Sequence, residues 1–217
     1  MTTTDPIVID VVSDVMCPWC YIGKRRLEAA LQQRPDLNVE VQWHPFQLDA
    51  TIPKQGMDRQ EYLNRKFGGP DGAKSIYANI VEAGKREDIP FDFDAIPRSP
   101  NTLDCHRLIH WSKQSGHQDA LVERLFEMYF TQGLDVGDHD VLVQAANDAG
   151  MDGKKVKELL ASDRDCDTIE HGVASAHKMG VQGVPCFIIA GKFALSGAQP
   201  PEAIVELLDK VQQDQET

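Results

Sequence analysis

The chain has 217 residues, 41% hydrophobic and 26% charged, the balance of a water-soluble globular protein with a full core. Its formal net charge of −12 and the lack of a basic stripe exclude nucleic acid as an expected partner. An acidic surface repels anionic membranes, and no stretch is apolar for long enough to span a bilayer.

Length allows one domain with an insertion or two small domains. The opening MTTTDPIVIDVV has no basic n-region, no apolar run of signal-peptide length and no small-residue cleavage site. The expected compartment is therefore the cytoplasm, which keeps ordinary thiols reduced. Of the five cysteines (Cys17, Cys20, Cys105, Cys166 and Cys186), none has an obvious structural partner. An odd number in a reducing compartment argues against a disulfide framework.

Ile7–Val12 is an apolar, β-branched run broken only by Asp10, the pattern of a buried strand. A helix follows at once, with Pro18 in its first turn, where a missing N–H is harmless. Cys20, Gly23, Leu27 and Ala30/Leu31 share one helical face, and Pro35 ends the helix. Asn38–Phe46 alternates Val39, Val41 and Trp43 and reads as a second strand. This order predicts a parallel pair with a right-handed crossover.

From about residue 55 to 180 the pattern turns helical. Asp58-x-x-Glu61 has the form of a capping box. Apolar stripes follow at Ile76/Tyr77/Ile80/Val81, Leu121/Val122/Leu125/Phe126/Tyr129, Val141/Leu142/Ala145, Val156/Leu159/Leu160 and Ile169/Val173/Ala176. Gly150 and Gly180 close two of these helices. Gly68-Gly69-Pro70 and Pro97–Asn101 (PRSPN) read as loops.

The end switches back. Pro185–Ala190 (PCFIIA) is a short buried-strand signal, Gly191-Lys192 a tight turn, and Phe193–Leu195 the returning strand. Pro201 opens a last helix with Ile204, Leu207, Leu208 and Val211 on its apolar side. Only the two short termini are candidates for disorder.

The chemistry centres on Cys17-Pro18-Trp19-Cys20, a Cys-x-x-Cys placed after a strand and at a helix start. Unpaired N–H groups and the macrodipole at that end favour a thiolate on Cys17. Cys20, one turn further and on the buried face, is placed to attack a mixed disulfide on Cys17. The expectation is an exposed nucleophile at Cys17 and a resolving thiol at Cys20. Trp19 reads equally well as an exposed apolar platform for substrate or as a packing residue. A zinc site is the competing use of Cys-x-x-Cys, but it needs four ligands and usually a second close pair, which the chain lacks. His44 reads as a surface residue at the end of the second strand. Asp14 serves either in proton transfer or merely in the active-site turn.

The segments SDVMCPWCYIGKRRLEAAL, PNTLDCHRLIHW and GVQGVPCFIIAGKFALSGAQPPE resemble, together and in order, the DsbA-like thioredoxin-fold proteins, and within them the FrnE-type oxidoreductases. The resemblance implies an α/β chain: a thioredoxin fold with a large all-helical insertion after the second strand. Residues 1–50 and 181–217, with a preceding helix from about 165, would form the thioredoxin-like domain, and 51–164 the insert. It further implies a cis peptide bond at Val184-Pro185, turning the Val184 backbone toward the thiols to pair with an extended substrate. Pro18, Trp19, Val184 and Asn101 are the implied substrate-binding residues, beside Cys17, Cys20 and Pro185.

Related 2-hydroxychromene-2-carboxylate isomerases and kappa-class glutathione transferases bind glutathione. Many carry a serine where Cys17 stands and most lack the second cysteine. The resemblance therefore implies thiol–disulfide exchange with a protein or small-thiol substrate. No tightly bound cofactor or metal is expected; glutathione is a candidate co-substrate, and a thioredoxin or glutathione system the electron partner. The alternative is a glutathione-dependent isomerase or transferase of small aromatic compounds. Cys105 and Cys186 depart from the family pattern, each standing either as a small buried apolar residue or as a third thiol near Cys17.

Overall fold

A computed structural model describes residues 6–215; the termini read as candidates for disorder lie largely outside them. In chain order the elements are β1 (Ile7–Ser13), α1 (Pro18–Gln33), β2 (Val39–Pro45), β3 (Met57–Asp58), α2 (Arg59–Phe67), α3 (Pro70–Lys85), β4 (Arg98–Ser99), α4 (Leu103–Lys113), α5 (Gln118–Phe130), α6 (His139–Asp148), α7 (Gly153–Leu160), α8 (Cys166–Lys178), β5 (Cys186–Ile189), β6 (Phe193–Ser196) and α9 (Pro201–Gln215).

The main sheet has strand order β2-β1-β5-β6. β1 runs parallel to β2 in the register Ile7↔Val39 to Ser13↔Pro45, as the strand–helix–strand order requires. β5 pairs antiparallel with β1, Val12 facing Cys186, and β6 pairs antiparallel with β5. β1 is central, which explains its nearly unbroken apolar run. The β5–β6 turn falls at Ala190-Gly191 (φ 52° and 64°), one residue earlier than the sequence suggests.

Alternation along the strands divides the core. Ile7, Ile9, Val11, Phe187 and Ile189 face the large cluster that includes Cys17, Cys20 and Leu27 of α1 and Ile204 and Leu208 of α9. Val12 and Cys186 belong instead to a small cluster with Phe46, Ala176 and Val181. α8 packs along β2 so closely that a β-carbon on Gly172 would stand 2.8 Å from Pro45 Cγ.

Helices α2–α8 lie between β2 and β5 in the chain. Between β2 and β5 the regular structure is helical apart from the short β3–β4 ladder, in which Met57 pairs with Ser99. PRSPN is therefore part strand, not all loop. Asp58 caps α2 by accepting from the Glu61 N–H at 3.0 Å, as its spacing predicts. Gly68 closes that helix in the left-handed region (φ 71°).

The insert covers a second face of α1. Tyr21, Ile22 and Lys24 are buried along with the predicted Cys20, Gly23 and Leu27. Lys24 is 1% exposed and pairs with Glu28, with Asp119 at 3.1 Å and with Glu123 at 3.2 Å. Tyr21 donates to Glu123 at 3.0 Å and stacks on Phe126 at 5.1 Å. These contacts fasten α1 to α5.

Candidate active site

β1 ends at Ser13, and a tight turn carries the chain into α1. The Cys17 N–H donates to the Asp14 carbonyl at 3.0 Å, and Cys17 takes the N-cap position with extended dihedrals (φ −95°, ψ 109°). Pro18 occupies the first helical turn, as its fixed φ favours. No side chain caps this end and no acidic residue stands in its first turn.

Cys17 and Cys20 are both free thiols. Cys20 is 1% exposed. Burial pushes its thiol well up, and the hydrogen bond with Cys17 and the charge there push the same way; hydrogen bonds from the Ser13 side chain and the Asp14 backbone work against them. Cys20, one turn below Cys17, is thus held protonated.

Cys17 is not open to solvent as expected: it is only 4% exposed. The cause is the loop before β5. The Val184–Pro185 peptide bond is cis, and the Cys17 thiol donates to the Val184 carbonyl at 3.5 Å. That contact joins residues 167 positions apart in sequence and covers the sulfur. Pro185 is buried, while Val184, Pro18 and Trp19 are half-buried around it. Trp19 packs on the core and is half-buried.

Gly23, on the same helix, abuts Pro185. The half-buried Asn101 accepts from Leu103 N–H at 3.0 Å and from Gln47 at 3.3 Å, and donates to the Ile52 carbonyl at 2.7 Å. It starts α4 and ties down the chain after β2, with one amide hydrogen left.

Asp14 is 0% exposed. One carboxylate oxygen accepts from Leu48 N–H at 2.7 Å. The other has no hydrogen-bond partner and lies 3.4 Å from His106 Nε2, which is itself 2.8 Å from the Phe46 carbonyl. The sequence pointed to Asp14 near the active-site turn, but not to Ser13 or to the approach of His106 to Asp14.

Two of the other three thiols, Cys186 and Cys105, are buried by packing. Cys186 faces the small cluster, on the opposite side of β5 from Phe187 and its neighbours around α1. Cys105 is fully buried on α4 and donates to the Val136 carbonyl at 3.1 Å. His44 is half-buried and paired with Asp10 at 2.7 Å. Among the described residues no three His, Cys, Asp or Glu side chains converge as a metal site requires.

A Cys-x-x-Cys of free thiols at a helix start, facing a cis-proline loop on a β2-β1-β5-β6 sheet, defines a thioredoxin-fold protein with a dithiol centre. The model of the DSBA-like thioredoxin domain matches residues 8–209, and the chain belongs to that family. It is similar to a solved structure of a probable DsbA oxidoreductase from Streptomyces coelicolor, with 30% identity, TM-score 0.86, and 95% of this chain and 90% of that one covered. The fold also matches a 2-hydroxychromene-2-carboxylate isomerase (14% identity, TM-score 0.71, 95% and 97% covered). It matches too the cytosolic disulfide reductase DsbM from Pseudomonas aeruginosa with GSH (16% identity, TM-score 0.67, 95% and 99% covered).

Proposed function

We propose that the protein is a thiol–disulfide oxidoreductase whose redox couple is Cys17–Cys20. The observation that carries this reading is a pair of free thiols one helical turn apart at the α1 N-terminus, Cys17 lying against the Val184 carbonyl. In the reductive direction the Cys17 thiolate attacks a substrate disulfide. A new S–S bond forms to Cys17, and the departing substrate sulfur takes up a proton. Cys20 then loses its proton and attacks the Cys17 sulfur, releasing the second substrate thiol. Two electrons have passed to the substrate, and the protein holds a Cys17–Cys20 disulfide. The oxidative direction is the reverse.

The substrate is a disulfide in a protein or a small thiol, and Val184 with Pro18 and Trp19 lines its approach. Pairing of an extended segment with the Val184 backbone requires Cys17 to leave that carbonyl. The remaining amide hydrogen of Asn101 is available at the border of the insert. A thioredoxin or glutathione system restores the dithiol, and glutathione serves as co-substrate, which the GSH in the DsbM structure supports by analogy. Cytoplasmic residence fits this reductive supply; no helix among the described residues is long and apolar enough to cross a membrane. The presence of both sulfurs favours exchange over glutathione-dependent isomerisation or transfer, which leaves the second sulfur without a task.

Dithiol-dependent reduction of a disulfide substrate tests the reading. Cys17→Ser abolishes it; full activity in that variant refutes the assignment.

A further inference from the structure

A cavity of about 550 Å³ lies in the insert between α2, α3 and the segment before β4. None of the residues around the dithiol lines it. At its base is Arg59, only 6% exposed. Its guanidinium donates to the Ser99 hydroxyl at 3.2 Å, to Tyr129 at 3.5 Å and to Tyr77, all neutral groups. Burial pushes the Tyr77 and Tyr129 phenols up, so neither supplies a phenolate as counter-ion at neutral pH. Among the described residues no carboxylate stands within ion-pair distance of Arg59. Its Nε is buried without an acceptor.

A buried cation with an unused donor is costly unless an anion completes it. The rest of the cavity describes that anion. Phe93 stacks on Tyr77 at 4.3 Å and on Phe91 at 5.0 Å, giving an apolar aromatic wall. The mouth carries exposed Lys74 but also exposed Asp92 and Asp94, which oppose a second negative charge. We infer that this cavity is a binding site for a small aromatic monocarboxylate, whose carboxylate pairs with Arg59 and whose ring lies along Tyr77, Phe91 and Phe93. The cleft sets that aromatic wall beside the buried cation within an otherwise polar lining.

Calorimetric titration with benzoate tests this, with benzyl alcohol as the uncharged twin and acetate as the twin without a ring. Benzoate binds once per chain and roughly tenfold tighter than either twin, the scale of a charge-assisted hydrogen bond. Arg59→Gln weakens benzoate by about the same factor. Ala78→Trp, at an exposed α3 position lining the cavity, fills the space with Arg59 intact and removes binding. Circular dichroism establishes that each variant is folded; if Arg59→Gln does not fold, Ala78→Trp decides. Cys17→Ser binds benzoate like the natural protein, which separates this site from the redox reading. Benzoate binding no tighter than its twins, or undiminished in folded Ala78→Trp, overturns the inference.

Discussion

Gly23 and Pro185 are packed backbone to ring: a β-carbon on Gly23 would stand 2.9 Å from Pro185 Cγ and 3.2 Å from Phe187 Cζ. The glycine lets α1 approach the loop that covers Cys17. The distance between helix and loop sets whether the Cys17 sulfur reaches the Val184 carbonyl.

Gly23→Ala therefore forces α1 and the Pro185 loop apart, because neither the ring nor the helix backbone swings aside. Overpacking of this kind costs about 1–3 kcal/mol. Urea unfolding should show that loss, and disulfide exchange should slow as Cys17 loses its position. Unchanged stability and rate would mean the contact does not hold the site together.

Cys20 should resist alkylation in the folded protein. It is 1% exposed and its thiol is pushed well above the ordinary 9.0, so near neutral pH it is protonated as well as covered. Iodoacetamide at pH 8 labels Cys17 roughly tenfold faster than Cys20, with the half-buried Cys166 as an internal comparison. Peptide mapping that finds Cys20 modified as fast as Cys17 contradicts the division of roles.

The strands, α1 and the end of the chain were legible because their signals are local. Ile7–Val12, PCFIIA and the Cys20/Gly23/Leu27 spacing each depend on neighbours a turn or a pleat away. The burial of Cys17 was not legible, because a carbonyl from the far end of the chain imposes it. Lys24, Arg59 and Arg107 also escaped, since a charged residue in a helical stripe reads as surface until its distant partners are known. Asp14 was noticed, but its isolation and its approach to His106 depend on α4, which no motif at the turn announces.

Asp104 should give the insert an acid-side stability dependence. It accepts from Arg107 at 2.7 Å, and its other oxygen lies 2.8 Å from His139 Nε2. The fully buried Arg107 also donates to the carbonyls of Leu159, Ser162 and Arg164, fastening α4 to the α7–α8 segment. Burial alone would raise the Asp104 carboxyl, but Arg107 and His139 outweigh it and hold it below the ordinary 3.8. Its contribution is therefore complete above pH 3.8 and disappears as pH falls through the lowered value. Asp104→Asn leaves a buried guanidinium without its charge partner, a loss of roughly 3 kcal/mol at neutral pH. Melting curves of both proteins from neutral pH to strong acid should converge as the pH falls; a constant gap contradicts the ion pair.

Lys24→Met tests the other anchor, between α1 and α5. The folded-state ammonium is depressed by burial but raised overall by Asp119, Glu28 and Glu123, to above its ordinary 10.5. Its pairing thus stabilises fully below pH 10.5 and is lost as pH rises through the higher value. Chemical denaturation at pH 8 should show a loss of about 1–3 kcal/mol, with the difference narrowing in strong alkali. Equal stability at pH 8 would show that the network does not join the two parts.

The most direct measurement is peptide mapping of Cys20→Ala after reaction with a disulfide substrate. With the resolving sulfur gone, the substrate should remain covalently attached to Cys17 and be released by added dithiol. A substrate found instead on Cys166, the least buried of the five thiols, or no adduct while the natural protein turns over the same substrate, would contradict the assignment of Cys17 as the attacking sulfur.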